Sequence, residues 1–246
     1  MKNIYKKSSI ISENAFCPGC LHGVASKLIA EVLEELQIHQ KAICVLPVGC
    51  GTLNMESLKL DRVVAAHGRA PAVATGLKRS LPDNIVFTYQ GDGDLASIGL
   101  AEIIHAANRG ENITVIFVNN SIYGMTGGQL APTTLVQQQS TTSKFGRNTS
   151  TMGYPIKMAE IITQLESPTL VARQSLDSPR NIIAAKKIIR RAFENQMNHK
   201  GFSFVELLSN CPTNWKMKPI DSLDWMRSNV IPYFELGILK DVEGGK

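Results

Sequence analysis

Two aspartates and two glycines stand at one strand-to-helix corner of the chain, in the segment QGDGDLASIG. They are Gly91, Asp92, Gly93 and Asp94, and they follow the β-type run IVFTY. A plain turn of this kind needs one glycine and one capping acid. The additional carboxylate predicts that the corner binds an ion, and the glycines would let a phosphate group approach the backbone.

The next β-type run along the chain ends in a pair of asparagines, the second of which is Asn120. In open α/β sheets ligands bind at the carboxyl ends of the strands, so neighbouring strands would present Asp92 and Asn120 side by side. Mg²⁺ prefers hard oxygen ligands and commonly shares them with phosphates. We predict an Mg²⁺–diphosphate site whose protein ligands are Asp92, Asn120 and the backbone carbonyl of Ile122. The alternative is two unrelated capped turns, each of which is common by itself.

The five cysteines are a second candidate for chemistry. Cys17 and Cys20 form a C-x-x-C pair, which suits a redox pair, half of a zinc site or half of an iron–sulfur site. Cys50 and Cys211 each follow a predicted strand, at the same sheet edge as the aspartates. The spacing leaves open both a metal site and unrelated thiols. Cys44 lies inside an apolar strand and is expected in the core.

Short apolar runs of β-type residues alternate with segments of helical periodicity. The predicted strands lie at residues 42–48, 62–66, 85–89, 113–118, 169–174 and 202–208. The predicted helices lie near residues 22–37, 70–80, 98–109, 156–166 and 179–198. This alternation predicts an α/β fold, with a doubly wound, mostly parallel sheet covered on both faces.

Two segments lack this periodicity. Residues 126–155 are polar and rich in Thr, Gln and Gly, and a loop of that length is usually functional. The tail after Cys211 contains several prolines and is expected to wrap irregularly over the domain or onto a partner. We expect residues 1–246 to form a single domain.

The composition is that of an ordinary water-soluble protein of 246 residues, 43% hydrophobic and 19% charged. A net charge of +5 is small for a nucleic-acid-binding protein, and no basic arm is interleaved with aromatic residues. No uncharged apolar run reaches the roughly 18 residues of a membrane span, and the N-terminus lacks the apolar region of a secretory signal. We therefore expect a cytoplasmic protein without nucleic acid or membrane partners, whose cysteines serve as ligands or catalysts more than as disulfides.

Several motifs together carry a resemblance to a known family. They are CPGCLHG, VGCG, AAHGRAPAVATGLKRSLPDNIVFTYQGDGDLASIG, VNNSIYGMTGGQLAPTT and CPTNW. In this order they resemble the thiamine-diphosphate-binding β subunit of a 2-oxoacid:ferredoxin oxidoreductase, in the branch that acts on 2-oxoisovalerate or 2-oxoglutarate. The resemblance extends from about residue 14 to residue 240. One departure is Leu21, where many relatives have glycine.

The resemblance implies a thiamine-diphosphate-binding (PP-type) domain that binds thiamine diphosphate with Mg²⁺. It also implies one 4Fe-4S cluster on four cysteines, so the N-terminal C-x-x-C would be a cluster-ligand segment. The implied cluster ligands are Cys17, Cys20, Cys50 and Cys211. His67 is the predicted catalytic group and could form a hydrogen bond with the diphosphate, although lone histidines are more often structural. The predicted cofactor-binding set is His22, Gly49, Cys50, Gly51, His67, Gly68, Arg69, Gly91, Asp92, Gly93, Asp94, Asn120, Ile122, Tyr123, Gly124, Met125 and Thr126.

The implied activity is CoA-dependent oxidative decarboxylation of a 2-oxoacid, first 2-oxoisovalerate or another branched-chain acid, with electrons passed to ferredoxin. 2-Oxoglutarate and pyruvate are the alternative substrates. Thiamine chemistry needs a glutamate that this superfamily supplies from a second α/β domain, for which 246 residues leave no room. We expect an α subunit to bring that glutamate and most of the specificity, with γ and ferredoxin-like δ subunits completing the complex.

Two other functions remain open at this stage. A non-oxidative thiamine-dependent decarboxylase or synthase half-subunit would keep Asp92 and Asn120 but would need no cluster. A zinc-stabilised assembly protein with a relict diphosphate pocket would keep the cysteines. Metal analysis would distinguish the three functions, since the protein would contain iron with sulfide, zinc, or neither.

Overall fold

The apolar runs form the middle of a seven-stranded sheet in a computed structural model that describes residues 8–242. The strands are β1 (Ala42–Leu46), β2 (Asp61–Val64), β3 (Ile85–Gly91), β4 (Thr114–Asn119), β5 (Leu170–Ser175), β6 (Ser203–Leu208) and β7 (Gly237–Asp241). Their order across the sheet is β2-β1-β3-β4-β6-β5-β7, and all neighbours are parallel except β5 and β7. The predicted α/β class and mostly parallel sheet are confirmed.

Helices cover both faces of the sheet. Those that pack on the sheet are α1 (His22–Glu35), α3 (Ala70–Ser80), α4 (Leu100–Asn108), α6 (Met158–Thr163) and α7 (Pro179–Met197). Short helices are α2 (Asn54–Ser57), α5 (Thr149–Met152), α8 (Pro212–Trp215), α9 (Pro219–Trp225) and α10 (Ile231–Tyr233), with 3₁₀ turns at His39–Lys41 and Cys50–Leu53 and π-helical turns at Asp94–Ile98 and Met226–Val230.

The two faces bury separate apolar cores. Residues of α1 and α7 pack on one face, and residues of α3, α4 and α6 pack on the other. Along β1, Cys44 and Leu46 face the first core, whereas Ile43 and Val45 face the second. This alternation is what a sheet covered on both sides requires, and it confirms Cys44 as a core residue.

The side of the sheet on which the next strand is added changes between β1 and β3. The connection after β1 leads outward to β2, whereas the connection after β3 leads the opposite way to β4. Such a switch point opens a crevice at the carboxyl ends of the two strands. Residues 47–51 follow β1 and residues 92–94 follow β3, so the fold itself brings these two segments to one crevice.

The long loop at residues 126–155 is ordered around one buried arginine. Arg147 is 5% exposed, and its guanidinium donates hydrogen bonds to carbonyl oxygens on both sides of the loop. Its acceptors are the carbonyls of Ala131, Pro132, Thr134, Met152, Gly153 and Tyr154. The expected lack of regular structure holds apart from α5 and isolated bridges such as that of Val136 with Arg147, and the guanidinium adds to the loop's own backbone hydrogen bonds.

The expectation of an irregular C-terminal tail was wrong. The tail forms α8, α9, α10 and the antiparallel edge strand β7. Pro212 and Pro219 are the first residues of α8 and α9, where proline's missing N–H costs nothing. The tail does pack on the domain, because Val230 and Phe234 are fully buried in the core beneath α1 and α7.

Among residues 8–242, the structure contains no helix that is both long and apolar enough to cross a membrane.

Candidate cofactor and metal site

A cavity of about 340 Å³ lies at the crevice between the carboxyl ends of β1, β3 and β4. Most of the predicted cofactor-binding set lines this cleft. The predicted residues in its wall are Gly49, Cys50, His67, Gly91, Asp92, Gly93, Asp94, Asn120, Ile122, Tyr123, Gly124, Met125 and Thr126. Val48 and Gln129 also line it and were not predicted. The spacing of strands and helices is what brings these separate segments together.

Asp92 and Asn120 meet within this cleft. Asp92 is 2% exposed, and its Oδ2 accepts a hydrogen bond from the Ile122 backbone N–H at 3.1 Å. The same N–H lies 3.3 Å from Asn120 Oδ1. The carboxylate, the amide oxygen and residue 122 are therefore neighbours, as the Mg²⁺ prediction requires.

The donor set of this corner fits a hard divalent cation. Burial raises the pKa of Asp92 to about 7, because water no longer stabilises the charged carboxylate. A cation in contact with it would favour the charged form, which is the compensation that a buried carboxylate needs. A Cβ added at Gly91 would meet no atom within 4 Å, so the backbone there borders open space. We conclude that Asp92, Asn120 and Ile122 could hold Mg²⁺; their role as ligands remains a prediction.

Gly93 lines the cleft and has a second reason to be glycine, besides the predicted approach of a phosphate. A Cβ at this position would lie 2.2 Å from the ring of Tyr123. Gly93 therefore lets the turn after β4 pack closely on the turn after β3, which holds the two predicted metal ligands together.

Thr133 supports Asp92 and was missed in the sequence. Its hydroxyl donates to Asp92 Oδ2 at 2.7 Å, and the side chain is fully buried. Three of the carbonyls that Arg147 binds belong to residues within two positions of Thr133 in the chain, so the arginine fixes the segment that presents the hydroxyl. No local sequence pattern indicates this contact, because Thr133 lies in a polar loop 41 residues from Asp92.

Replacing Thr133 with valine is expected to weaken Mg²⁺-dependent binding of thiamine diphosphate roughly tenfold, since groups that orient metal ligands contribute about 10- to 100-fold to metal affinity. Valine keeps the shape but cannot donate to Asp92. Calorimetric titration of the complex at fixed Mg²⁺ measures the effect. The matched control is Thr163→Val, which removes a hydroxyl that donates to the Ala159 carbonyl within α6. Equal affinity in the Thr133 variant and the wild type would contradict this role.

His67 is oriented by Asp94. Its Nδ1 lies 2.6 Å from Asp94 Oδ1, which also accepts from the Gly68 N–H at 2.9 Å, and Gln90 Nε2 donates to Oδ2 at 2.7 Å. Since Nδ1 is occupied, Nε2 is the ring nitrogen left for a ligand in the cleft. Asp94 also lines the cleft, and its predicted contact with the cofactor stays a prediction; the hydrogen bonds of its oxygens are to His67, Gly68 and Gln90.

His22 was predicted to line the cofactor pocket and does not. It is buried, its Nδ1 lies 2.7 Å from the Tyr89 hydroxyl, and its ring stacks on Phe16 at 5.1 Å between centroids. Burial lowers the pKa of His22 to about 4, so the ring is neutral at physiological pH. His22 is a core residue beneath the site.

Three further residues of the predicted set lie outside the cleft wall. Gly51 packs against Tyr89, where a Cβ would come within 2.9 Å of the ring. Gly68 has φ +79°, and its N–H binds Asp94. The Arg69 guanidinium pairs with Glu102 on α4. These residues shape the turns around the cleft but do not face it.

The four predicted cluster cysteines gather beside the cleft as free thiols. Burial is the main cause that raises the pKa of Cys20 and of Cys50 to about 12 each, and the neighbouring thiols contribute to the same rise. Cys20 Sγ lies 3.9 Å from the carbonyl of Asn210, which brings the N-terminal pair to the residue preceding Cys211. A bound cationic group would favour the thiolates.

The four thiols do not form a preformed metal site. A zinc ion holds its sulfurs about 2.3 Å from one point, and residues 8–242 contain no group of three or more His, Cys, Asp or Glu side chains arranged to hold an ion. An iron–sulfur cluster spreads its cysteines over several iron atoms, so the chemistry of four thiols suits it. The role of these cysteines as cluster ligands stays a prediction.

Comparison with known families gives an independent result. The family described as "Thiamine pyrophosphate enzyme, C-terminal TPP binding domain" matches residues 48–207. This segment begins in the wall of the cleft and ends in β6, so it includes Asp92, Asn120 and His67.

Relatives match over most of the chain. It is 49% identical over 209 residues to "Ketoisovalerate oxidoreductase subunit VorA" of Methanothermobacter thermautotrophicus, an alignment that covers 85% of this chain and 44% of that protein. It is 37% identical over 222 residues to "2-oxoglutarate synthase subunit KorB" of Methanocaldococcus jannaschii, covering 88% of this chain and 78% of that protein. The chain thus spans less than half the length of the first of these relatives.

A solved structure matches the whole fold. The 2-oxoglutarate:ferredoxin oxidoreductase of Magnetococcus marinus, with 2-oxoglutarate, coenzyme A and succinyl-CoA bound, superposes with a TM-score of 0.80 at 26% identity, covering 100% of this chain and 88% of that one.

Proposed function

Because this chain belongs to the family of thiamine-diphosphate-binding subunits of 2-oxoacid:ferredoxin oxidoreductases, we propose that it is the thiamine diphosphate and iron–sulfur subunit of such an enzyme. The complete enzyme converts a 2-oxoacid and CoA to acyl-CoA and CO₂ and passes two electrons to ferredoxin. The observation that carries the proposal is that Asp92 Oδ2 and Asn120 Oδ1 both accept from the Ile122 N–H. This contact lies in a cleft at the switch point of the sheet.

The protein's part in this chemistry is to bind and orient. Asp92, Asn120 and the Ile122 carbonyl would hold Mg²⁺, and the backbone at Gly91 leaves space for the diphosphate. His67, fixed at Nδ1 by Asp94, presents Nε2 to the ligand. Thiamine diphosphate bound here supplies the nucleophile and the electron sink for decarboxylation.

The four cysteines are the basis for proposing that electrons leave the substrate through a cluster in this same subunit. Cys50 lines the cleft itself, so a cluster held by Cys17, Cys20, Cys50 and Cys211 would lie next to the cofactor. Such a cluster supplies a one-electron acceptor whose potential depends on its burial and its hydrogen bonds.

The first candidate substrate is 2-oxoisovalerate or another branched-chain 2-oxoacid, supported by the 49% identity to the ketoisovalerate oxidoreductase subunit. 2-Oxoglutarate is the second candidate, supported by the relatives named 2-oxoglutarate synthase subunits. We propose that an α subunit across the cleft supplies the glutamate that activates thiamine and most of the specificity. Additional γ and δ subunits, ferredoxin as acceptor and a cytoplasmic location complete the proposal.

Anaerobically purified complex is expected to lose iron–sulfur absorbance when CoA and the correct 2-oxoacid are both present, because electrons leaving the substrate reduce the cluster. The measurement follows visible absorbance while branched-chain 2-oxoacids, 2-oxoglutarate and pyruvate are added in turn, with each acid tested without CoA as control. Iron and sulfide analysis of the same sample separates a cluster from zinc. Retained thiamine with unchanged absorbance for every acid would favour a non-oxidative thiamine enzyme and overturn the proposal.

A further inference from the structure

Asn214, in the motif CPTNW, contacts both the cofactor cleft and one of the predicted cluster cysteines. Its Nδ2 donates to the backbone carbonyl of Gly124 at 2.9 Å and to Cys211 Sγ at 3.3 Å. A side-chain amide nitrogen carries two hydrogens, so it can serve both acceptors at once. One side chain thus joins the wall of the cleft to the thiol.

Gly124 is the backbone between the predicted metal ligand and the thiols. A Cβ built there would lie 2.9 Å from Cys50 Sγ, 3.6 Å from Asn120 Nδ2 and 3.9 Å from Cys211 Sγ. The position leaves no room for a side chain, and its carbonyl is held by Asn214. The Gly124 backbone thus lies next to both Asn120 and Cys211, while Cys50 lines the cleft directly.

The amide of Asn214 has a fixed orientation. Gly128, with φ +85°, packs on the side chain, and a Cβ at that glycine would lie 3.1 Å from both Cβ and Oδ1 of Asn214. The opposite amide orientation would direct Oδ1 at the Gly124 carbonyl, placing two acceptors against each other. The N–H groups are consequently committed to the carbonyl and the sulfur.

We propose that Asn214 is a positioning residue that raises the reduction potential of the group bound at Cys211 and holds the Gly124 wall between that group and the cofactor. This inference rests on the proposed function, since it assumes a cluster on the cysteines. Hydrogen bonds to a ligand sulfur stabilise the additional negative charge of the reduced state. Loss of the donor therefore disfavours reduction.

The test is a redox titration of the anaerobic complex, followed by the electron paramagnetic resonance signal of the reduced cluster. Asn214→Leu removes both N–H donors in a side chain of similar size. At a fixed solution potential, the ratio of reduced to oxidised cluster is expected to fall about tenfold, which corresponds to about 59 mV for a one-electron couple. The matched control is Asn229→Leu, because Asn229 is an exposed asparagine of the same tail that donates to the Trp225 carbonyl. Its titration should match the wild type.

A second variant tests the same role if the Asn214→Leu complex does not assemble. Asn214→Asp keeps the shape against Gly128, removes the donors and adds negative charge, so its reduced fraction should fall at least as far. Iron content is measured for each sample, which separates a change in potential from a loss of cluster. A wild-type complex with iron, sulfide and thiamine, together with an unshifted titration in either assembled variant, would overturn the role of Asn214. A wild-type complex without iron and sulfide would instead overturn the proposed function.

Discussion

Replacing Asp92 with asparagine is expected to lower the affinity for Mg²⁺-thiamine diphosphate by more than about 100-fold, because loss of groups that merely orient metal ligands already costs about 10- to 100-fold. The asparagine has nearly the same volume, so the change removes a charge and not a shape. Asp92 is 2% exposed, so the lost charge lies where bulk water screens little. Thiamine released from the desalted complex by denaturation and quantified by fluorescence measures the retained cofactor.

Asp61→Asn is the matched control for Asp92, since Asp61 lies exposed at the edge strand β2. It should retain thiamine as the wild type does. The Asp92 variant should also remain folded, because burial already raises the pKa of this carboxyl and a neutral side chain relieves that penalty. Thiamine that stays bound to the Asp92 variant after desalting would show that the metal assignment is wrong.

The cleft could be anticipated from the sequence because its parts follow strands. Asp92 comes after β3 and Asn120 after β4, and the hydrophobic runs that define those strands are visible without a structure. Parallel neighbours bring such positions to one edge. The predicted strands have their observed counterparts, with small shifts such as the end of β1 at Leu46, after which Pro47 has no N–H for the ladder.

The supporting contacts could not be anticipated, because they join loops whose course no periodicity defines. Thr133 reaches Asp92 from the loop that Arg147 orders. His22 follows the C-x-x-C pair closely in sequence, yet α1 begins at His22 and turns the side chain into the core. β7 is short, its residues are half exposed and it begins at a glycine with φ +154°, so its sequence carries little strand signal.

Arg173→Met is expected to destabilise the fold by about 3–5 kcal/mol, the usual cost of removing one partner of a buried ion pair. Arg173 and Glu206 are both fully buried, with Nε 2.9 Å from Glu206 Oε2. The other Glu206 oxygen accepts from Asn119 Nδ2 at 2.8 Å, directly before the predicted metal ligand. Because one kcal/mol shifts the melting temperature of a domain this large by about 2–4 °C, calorimetry should detect a fall of roughly 10 °C.

The charge left on Glu206 makes this deficit depend on pH. Burial raises the pKa of Glu206 even with Arg173 beside it, and removal of the cation raises the pKa further. A folded-state pKa above the unfolded value means that the folded state binds the proton more tightly, so stability from this group is present in acid and lost as pH rises. The melting temperature of Arg173→Met should therefore approach that of the wild type toward acidic pH and diverge from it as pH rises through the pKa of Glu206.

Two further variants distinguish the effect of an unpaired buried charge from the effect of losing an arginine side chain. Adding Glu206→Gln to Arg173→Met should restore part of the stability and weaken the pH dependence, because the fully buried charge is gone. Glu160, the other carboxylate paired with Arg173, is 37% exposed and stays solvated without its partner. Arg191→Met removes a surface partner of Asp241 and should cost less than about 1 kcal/mol. Equal melting temperatures for the single and double variants at neutral pH would mean that Glu206 takes up a proton once Arg173 is gone. In that variant a neutral hydrogen bond from Asn119 would hold the turn that carries Asn120, in place of the ion pair of the wild type.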